Sequence, residues 1–217
     1  MKIRVGNIPE FESKPFTLEE ARVFLEAVKE DRLAALYTLA LGTGLRQGEC
    51  LALRWSDLDL ERGTVSVKHT LARTQEHGLV LQSPKTRKSK RVVYLPPFVI
   101  ESLREHRKFQ DVEREGRSHW DKRDFVFTTK FGEALDGSNV SGYFVATLKE
   151  HGLRRIRFHD LRHCAASLAL QAGSDMKTVS EQLGHSAIGI TLNLYSHVSE
   201  QARQQIASNM QNLVKSA

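Results

Sequence analysis

Apolar positions in the first part of the chain recur every three or four residues, which is typical of amphipathic helices. A capping-box sequence at 17–20 precedes the first such stretch, whose apolar residues are Ala21, Phe24, Leu25 and Val28. Residues 33–41 are apolar on every side, which predicts a buried helix that ends at Gly42-Thr43-Gly44. A third, short helix is expected from position 46 or 47 to position 55.

The pattern then changes to a period of two, which indicates strands. Residues 64–70 alternate between apolar and polar, and 78–82 and 91–95 are the other strand candidates. A basic run at 85–91 lies between the second and third candidates, and two prolines follow the third. The simplest arrangement is a small three-stranded antiparallel sheet with a basic hairpin.

Helical periodicity returns in the rest of the chain. Helices are predicted at 99–115, at 138–151 with Ser138 or Asn139 as the N-cap, at 159–172, at 175–183, at 188–194 and from 199 to about 215. A short buried segment is expected at 125–127. Many helices around one small sheet predict an α+β fold that is mostly α-helical.

Composition narrows the possible classes of protein. The 217 residues include 32 Lys+Arg and 26 Asp+Glu, and the net charge of +6 permits a polyanionic partner without proving one. The apolar fraction of 40% excludes global disorder, and two cysteines cannot form a disulfide scaffold. No apolar run approaches the roughly 20 residues that span a bilayer, and no secretory signal is recognisable. We therefore expect a cytoplasmic protein with no membrane partner.

The helix predicted at 159–172 carries two polar side chains that suit an anion. His159 and Arg162 lie three residues apart, on the face opposite the apolar stripe. The planar fork of an arginine and the imidazole of a histidine can both bind a phosphate. A solvated polar face is the alternative interpretation, and His159 with Asp160 or His163 could instead hold a metal ion.

Two other segments have the character of phosphate-binding sites. Arg46 follows a glycine-rich turn at the start of the third helix, where backbone N–H groups favour an anion, and Glu49 is placed to hold Arg46 from behind. Five of the seven residues from Lys85 to Arg91 are basic, which suits contact with a phosphate backbone. An ordinary capped helix and a solvated loop are the respective alternatives.

A histidine and a tyrosine near the C-terminal end complete the set of candidates. Gly184 ends the helix at 175–183 and places His185 on a turn. Tyr195 lies ten residues later in a polar-flanked string, whereas Tyr37 lies within an apolar helix and is expected in the core.

In this order the candidates resemble the active-site set of the tyrosine recombinases, the phage integrase family: Arg46, Lys85, His159, Arg162, His185 and Tyr195. The matching strings are 43–49, 158–163, 183–186 and 194–198, and the resemblance covers about 17–200. It looks closest to integrases of temperate phages and of conjugative transposons of Gram-positive type. It implies a tyrosine-recombinase catalytic domain at 17–198, after a linker or arm remnant at 1–16 and before a tail helix at 199–217. We expect the family's N-terminal core-binding domain to be missing, as in an excised catalytic domain.

The resemblance implies site-specific DNA breakage and rejoining that integrates or excises a mobile element. Tyr195 would attack a scissile phosphate and form a 3′-phosphotyrosine, with His159 as the base that takes the phenol proton. Arg46, Arg162 and His185 would hold the non-bridging oxygens, whose charge peaks in the transition state.

The basic hairpin would supply the acid and further DNA contacts. Lys85 would protonate the departing 5′-oxygen, while Glu49 would orient Arg46. The other basic residues of the run would contact DNA phosphates: Arg87, Lys88, Lys90 and Arg91. Because the phosphotyrosine keeps the bond energy, neither a metal nor another cofactor is expected.

The implied partner is double-stranded DNA, bound by four copies of the chain. The predicted tail helix has one narrow apolar stripe, formed by Ala202, Ile206, Met210 and Leu213. Docking on its own domain is one interpretation, but the resemblance favours exchange between protomers. We therefore expect mainly a monomer in free solution and a homotetramer on paired recombination sites. A type IB topoisomerase-like relaxing enzyme and a non-catalytic DNA-binding relative are the alternative functions.

Overall fold

The computed structural model describes residues 14–83, 90–115 and 117–184. Its helices in these ranges are α1 (Leu18–Ala27), α2 (Ala34–Thr43), α3 (Gln47–Ala52), α4 (Pro97–Arg114), α5 (Gly137–Glu150), α6 (Asp160–Gln171) and α7 (Met176–Leu183). A short 3-10 helix, Trp55–Asp57, follows α3. The α+β, mostly helical architecture is confirmed. The helices predicted at 188–194 and 199–215 lie outside the described residues.

Helix caps agree with the sequence at α1 and differ at α5. The Thr17 hydroxyl accepts the Glu20 N–H at 3.2 Å, and the Glu20 carboxylate accepts the Thr17 N–H at 2.8 Å, which confirms the capping box. The N-cap predicted at Ser138 or Asn139 is wrong. Asp136 caps α5 instead, because its carboxylate accepts the Ser138 N–H at 2.7 Å.

The strands form two sheets in the described part of the chain. The strands are β1 (Leu58–Asp59), β2 (Thr64–Val67), β3 (Thr70–Thr74), β4 (Gly78–Gln82) and β5 (Arg91–Tyr94). A three-stranded antiparallel sheet exists with the order β1-β2-β5, while β3 and β4 form a separate antiparallel hairpin. The predicted membership of 78–82 in the three-stranded sheet, and its hairpin with 91–95, are therefore wrong, because β4 pairs with β3 and β5 pairs with β2. The predicted strand at 64–70 is therefore divided at Lys68-His69, where the Lys68 ammonium pairs with the Asp57 carboxylate at 2.8 Å.

The core surrounds α2, which is apolar on every side and packs against α4 and α6. Four rings from α1, α2, α5 and the segment before α6 form its aromatic centre, with centroids 5.4 to 6.2 Å apart: Phe24, Tyr37, Phe144 and Phe158. The buried segment predicted at 125–127 is confirmed, since its three side chains are at most 1% exposed. No helix in the described ranges is both long and apolar enough to cross a membrane.

The residues that lead into α1 are fastened to the turn before α6. The Arg154 guanidinium donates to the carbonyls of Lys14 (2.9 Å) and Pro15 (3.0 Å), and it pairs with the Glu20 carboxylate at 2.7 Å. Phe16 is buried, and its N–H donates to the Cys164 sulfur at 3.0 Å. The chain therefore enters the domain in a fixed direction.

Candidate active site

The C-terminal end of α7 is the point where the candidate arginines meet. Gly184 ends this helix with a φ of 68°, and the last carbonyls of a helix have no partner within it. Three successive carbonyls each accept a hydrogen bond from a different arginine: Gln182 from Arg91 (2.7 Å), Leu183 from Arg162 (2.9 Å) and Gly184 from Arg46 (3.2 Å). The negative end of the helix dipole favours this gathering of cations.

Arg162 is the most deeply buried of the three. It lies in the first turn of α6 with 3% of its surface exposed, so the interpretation of a solvated polar face is wrong for this residue. Besides the Leu183 carbonyl, its guanidinium donates to the Gly44 carbonyl at 2.6 Å. Burial, and after it the positive charge of Arg46, together lower the pKa of Arg162 to about 9.

Glu49 binds two of these arginines at once. Its carboxylate accepts the Arg46 N–H at 2.9 Å and the Arg46 guanidinium at 3.1 Å, and it accepts two bonds from Arg91 at 3.1 and 2.9 Å. Burial alone would raise the pKa of Glu49, but the hydrogen bonds and charge of Arg91 outweigh burial and keep the pKa below its usual value. Glu49 is therefore an anion that holds two cations in place.

Arg46 faces outward from this support. It is the N-cap residue of α3, directly after the turn at Gly44, and 41% of its side chain is exposed. A Cβ atom at Gly44 would overlap the Leu183 side chain, so the turn lies directly against α7. Arg46 thus combines a fixed backbone with a guanidinium that an incoming anion can reach.

His159 lies beside the arginines at the start of α6. It is an exposed residue, and its ring centroid is 5.2 Å from that of His163. Partial burial, then the positive charges of His163 and Arg162, lower the pKa of His159 below its usual value. The ring is therefore neutral at pH 7 and can accept a proton.

The metal-site alternatives gain no support from the geometry. The Asp160 carboxylate is fully buried, and it accepts the Arg157 N–H at 2.7 Å and pairs with the Arg157 guanidinium at 2.9 Å. Within the described ranges, no three His, Cys, Asp or Glu side chains come together as metal ligands do.

The remaining candidates divide between described and undescribed residues. Five of them lie outside the described residues: Lys85, Arg87, Lys88, His185 and Tyr195. Lys90 is exposed, in agreement with a surface position. Arg91, which the sequence predicts to contact DNA phosphates together with Lys90, has a side chain only 8% exposed and is paired with Glu49. Its place could have been found from the alternation of β5, because Arg91 shares the inward face with buried Val93.

Comparison with known proteins identifies the family of the chain. Residues 14–202 match the profile of the phage integrase family. A tyrosine recombinase XerC-like protein of Caldanaerobacter subterraneus subsp. tengcongensis is 36% identical over 216 residues, which cover 94% of this chain and 55% of the relative. The ICEBs1 integrase of Bacillus subtilis is 29% identical, over 90% of this chain and 54% of its own. The chain thus spans about half the length of these curated relatives.

Solved structures of recombinases have the same fold. The Tn1549 transposon integrase in complex with transposon right end DNA superposes with a TM-score of 0.77 at 25% identity, over 90% of this chain and 65% of that one. The XerH site-specific recombinase bound to its palindromic difH substrate superposes with a TM-score of 0.64 at 28% identity, over 90% and 53%. With the profile matched from residue 14 to residue 202, this chain belongs to the phage integrase family.

Proposed function

We propose that the chain is the catalytic part of a site-specific DNA recombinase that breaks and rejoins strands through a 3′-phosphotyrosine, integrating or excising a mobile element. The observation that carries this proposal is the meeting of Arg46 and Arg162 at the end of α7, one residue before His185. Residues 17–198 are the proposed catalytic domain. Double-stranded DNA is the proposed partner, as in the Tn1549 integrase complex, and the cytoplasm is the proposed location.

The supported arginines suit phosphoryl transfer in particular. The pentavalent transition state concentrates negative charge on the non-bridging oxygens, and donors fixed in advance stabilise that charge without reorganising. Arg162 is held by two carbonyls, and Arg46 is held by Glu49 through its backbone and its side chain. In the proposed reaction both guanidiniums, together with His185, bind these oxygens.

Proton transfer is assigned to three further residues. Tyr195 is the proposed nucleophile, and a phenol with a pKa of about 10 needs a base at neutral pH. His159 is the proposed base, since it is exposed and its lowered pKa keeps the ring neutral and able to accept a proton. Lys85 is the proposed acid for the leaving 5′-oxygen, since a lysine surrounded by other cations releases its proton readily.

Trapping the covalent intermediate tests this proposal. Nicked suicide duplexes are drawn from a randomised pool and enriched for covalent capture by the wild-type chain. Tyr195→Phe keeps the ring and removes the nucleophilic oxygen, so it should abolish the adduct while DNA affinity is retained. Tyr143→Phe, an exposed tyrosine on α5, is the matched control and should form the adduct normally. An adduct from Tyr195→Phe at the wild-type rate would refute the assignment.

Four copies on paired recombination sites are the proposed active assembly, formed from chains that are mainly monomeric in free solution. The apolar stripe of the tail, which includes Ile206 and Met210, is the proposed contact between protomers. Ile206→Asp combined with Met210→Asp should leave the free chain monomeric in sedimentation and reduce assembly on two-site DNA. A chain cut after Val198 that assembles and recombines normally would exclude the tail from this role.

A further inference from the structure

The buried carboxylate of Glu49 accepts as many bonds from Arg91 as from Arg46. We propose that Arg91 is a positioning residue, which holds Glu49 and the end of α7 so that the Arg46 guanidinium faces the scissile phosphate. The proposal rests on the function proposed above for this site. It gives Arg91 a different role from its neighbour Lys90, although both belong to the same basic run.

Burial separates the two arginines that share Glu49. The Arg91 side chain is 8% exposed, whereas that of Arg46 is 41% exposed. A DNA backbone contacts the surface of a protein, so Arg91 could reach a phosphate only by leaving both Glu49 and the Gln182 carbonyl. Arg46 loses less on turning outward, because its guanidinium makes one bond to Glu49, at 3.1 Å, and its bond to the Gly184 carbonyl is long at 3.2 Å.

Charge balance gives Arg91 its effect on Arg46. Glu49 is one negative charge among three guanidiniums, and Arg91 binds both of its oxygens in the bidentate geometry that is strongest for this pair. Removing one partner of a buried ion pair leaves a poorly compensated charge. Without Arg91, Glu49 would depend on Arg46 alone and would draw that guanidinium inward, away from an incoming phosphate.

Arg91 also joins three segments of the proposed site. It is the first residue of β5, directly after the basic segment that contains Lys85, and it binds α3 through Glu49. Its Nε donates to the Gln182 carbonyl near the end of α7. A Cβ atom at Gly184 would lie 3.1 Å from the Arg91 Cζ, so the guanidinium lies directly against the turn that leads to His185.

The test separates cleavage from DNA binding. Arg91→Gln and Arg91→Lys are compared with Arg62→Gln, a control in which an exposed arginine outside the site is lost. Adduct formation is measured at saturating suicide duplex, and affinity is measured by fluorescence anisotropy at several salt concentrations. Arg91→Gln should lower the cleavage rate on the order of 10–100-fold, as for lost supporting partners elsewhere. Affinity should stay within about twofold of wild type. Arg91→Lys keeps the positive charge but loses the planar guanidinium with its two donor nitrogens, so its cleavage rate should lie between those of Arg91→Gln and wild type.

A double variant shows whether Arg91 acts through Glu49. The combination of Glu49→Gln with Arg91→Gln should cleave no more slowly than the worse single variant, because both changes remove the same support. Additive losses would overturn the proposal. So would cleavage by Arg91→Gln at the wild-type rate. A fall in affinity together with a salt slope reduced by about one would identify Arg91 as a phosphate contact instead.

Phosphate binding at Arg46, which can be measured without any cleavage reaction, tests the positioning role of Arg91 separately from the proposed function. If the wild-type chain forms no adduct with any duplex, the proposed function fails. Arg91 is then judged from the Arg46 Nε–H resonance, assigned with Arg46→Lys, during titration with inorganic phosphate. Arg91→Gln should raise the phosphate dissociation constant measured at Arg46 by about tenfold, and Arg62→Gln should not. The same dissociation constant in both variants would overturn the positioning role.

Discussion

Arg162 shows how one side chain is fixed by backbone rather than by a carboxylate. Its two terminal nitrogens donate to carbonyls of different segments, Gly44 and Leu183. Both acceptors are uncharged carbonyls, and the Glu49 carboxylate, which acts on Arg162 through its charge, is bound to Arg46 and Arg91 instead. The planar guanidinium spans both carbonyls, which a single ammonium group cannot do.

Arg162→Lys should therefore lose transition-state stabilisation although the charge is conserved. Loss of one such donor typically lowers a rate by about 10²–10³. DNA affinity is spread over many phosphates and should change little. Arg155→Lys, an exposed neighbour before α6, is the control, and both variants are measured for single-turnover adduct formation and for affinity. Equal losses in rate and affinity would make Arg162 a binding residue.

The protonation of His159 should set the pH at which the cleavage rate falls on the acidic side of the pH–rate profile, its acid limb. A proton acceptor must be neutral, so cleavage should fall as the pH drops through the pKa of His159. Because burial, His163 and Arg162 lower that pKa, the fall should lie below pH 6.5. His159→Gln should slow cleavage and remove this limb, whereas His151→Gln, at the end of α5, should keep it. A limb that persists in His159→Gln would assign the base elsewhere.

The sequence predicted part of this site for a physical reason that the structure confirms. The spacing of three residues between Arg46 and Glu49 at a helix start brings their side chains together, and they are paired. The position of Arg91 was missed because the basic residues of its run were treated as equivalent. The period of two in β5 distinguishes them, since it places Arg91 on the face of Val93.

Among the elements, α3 and β3 pack closely against each other at a glycine. A Cβ atom at Gly48 would lie 2.5 Å from the Thr70 hydroxyl and 2.8 Å from the Leu71 carbonyl oxygen. This contact helps to explain why β3 leaves the line of β2 and pairs with β4 beside α3. Alternation along 64–70 fits either one strand or two, so the sequence could not predict the division. The division goes together with a long-range contact between β3 and α3.

Gly48→Ala should therefore destabilise the fold, because the added methyl group meets backbone as well as a side chain. Overpacking of this kind costs about 1–3 kcal/mol in the free energy of unfolding. Gly142→Ala is the matched control, since its Cβ atom on α5 would meet nothing within 4 Å. The control should be more stable than wild type by about 0.5–1 kcal/mol. Urea denaturation measures the free energy of unfolding of both variants. An unchanged free energy of unfolding in Gly48→Ala would show that β3 can move away from α3.

In the molecule as a whole, Arg154 connects the residues that lead into α1 with the segment between α5 and α6. The hydrogen bond from Arg154 lowers the pKa of Glu20 to about 2. A lowered carboxyl pKa stabilises the folded state above the unfolded pKa, near 4.5, and this stability is lost as the pH falls towards 2. Arg154→Gln should therefore lower Tm most near pH 7, and the difference from wild type should shrink below pH 4.5. Arg155→Gln should show no such pH dependence; a constant difference for Arg154→Gln would exclude Glu20 as its cause.

Because Arg46, Arg91 and Arg162 surround the single carboxylate of Glu49, the thermal stability of the protein should depend on the anions in the buffer. Arg162 has a folded pKa of about 9 against an ordinary value of 12.5, so its charge disfavours the folded state at neutral pH, and that penalty declines as the pH rises above 9. An anion that binds beside Arg162 offsets the cost of burying its charge and the repulsion by Arg46, and it stabilises the chain by mass action. Inorganic phosphate should raise Tm more than sodium chloride of equal ionic strength, and Arg46→Gln should lose much of the increment. A thermal shift screen of polyanions can therefore report occupancy of the site without any chosen DNA sequence.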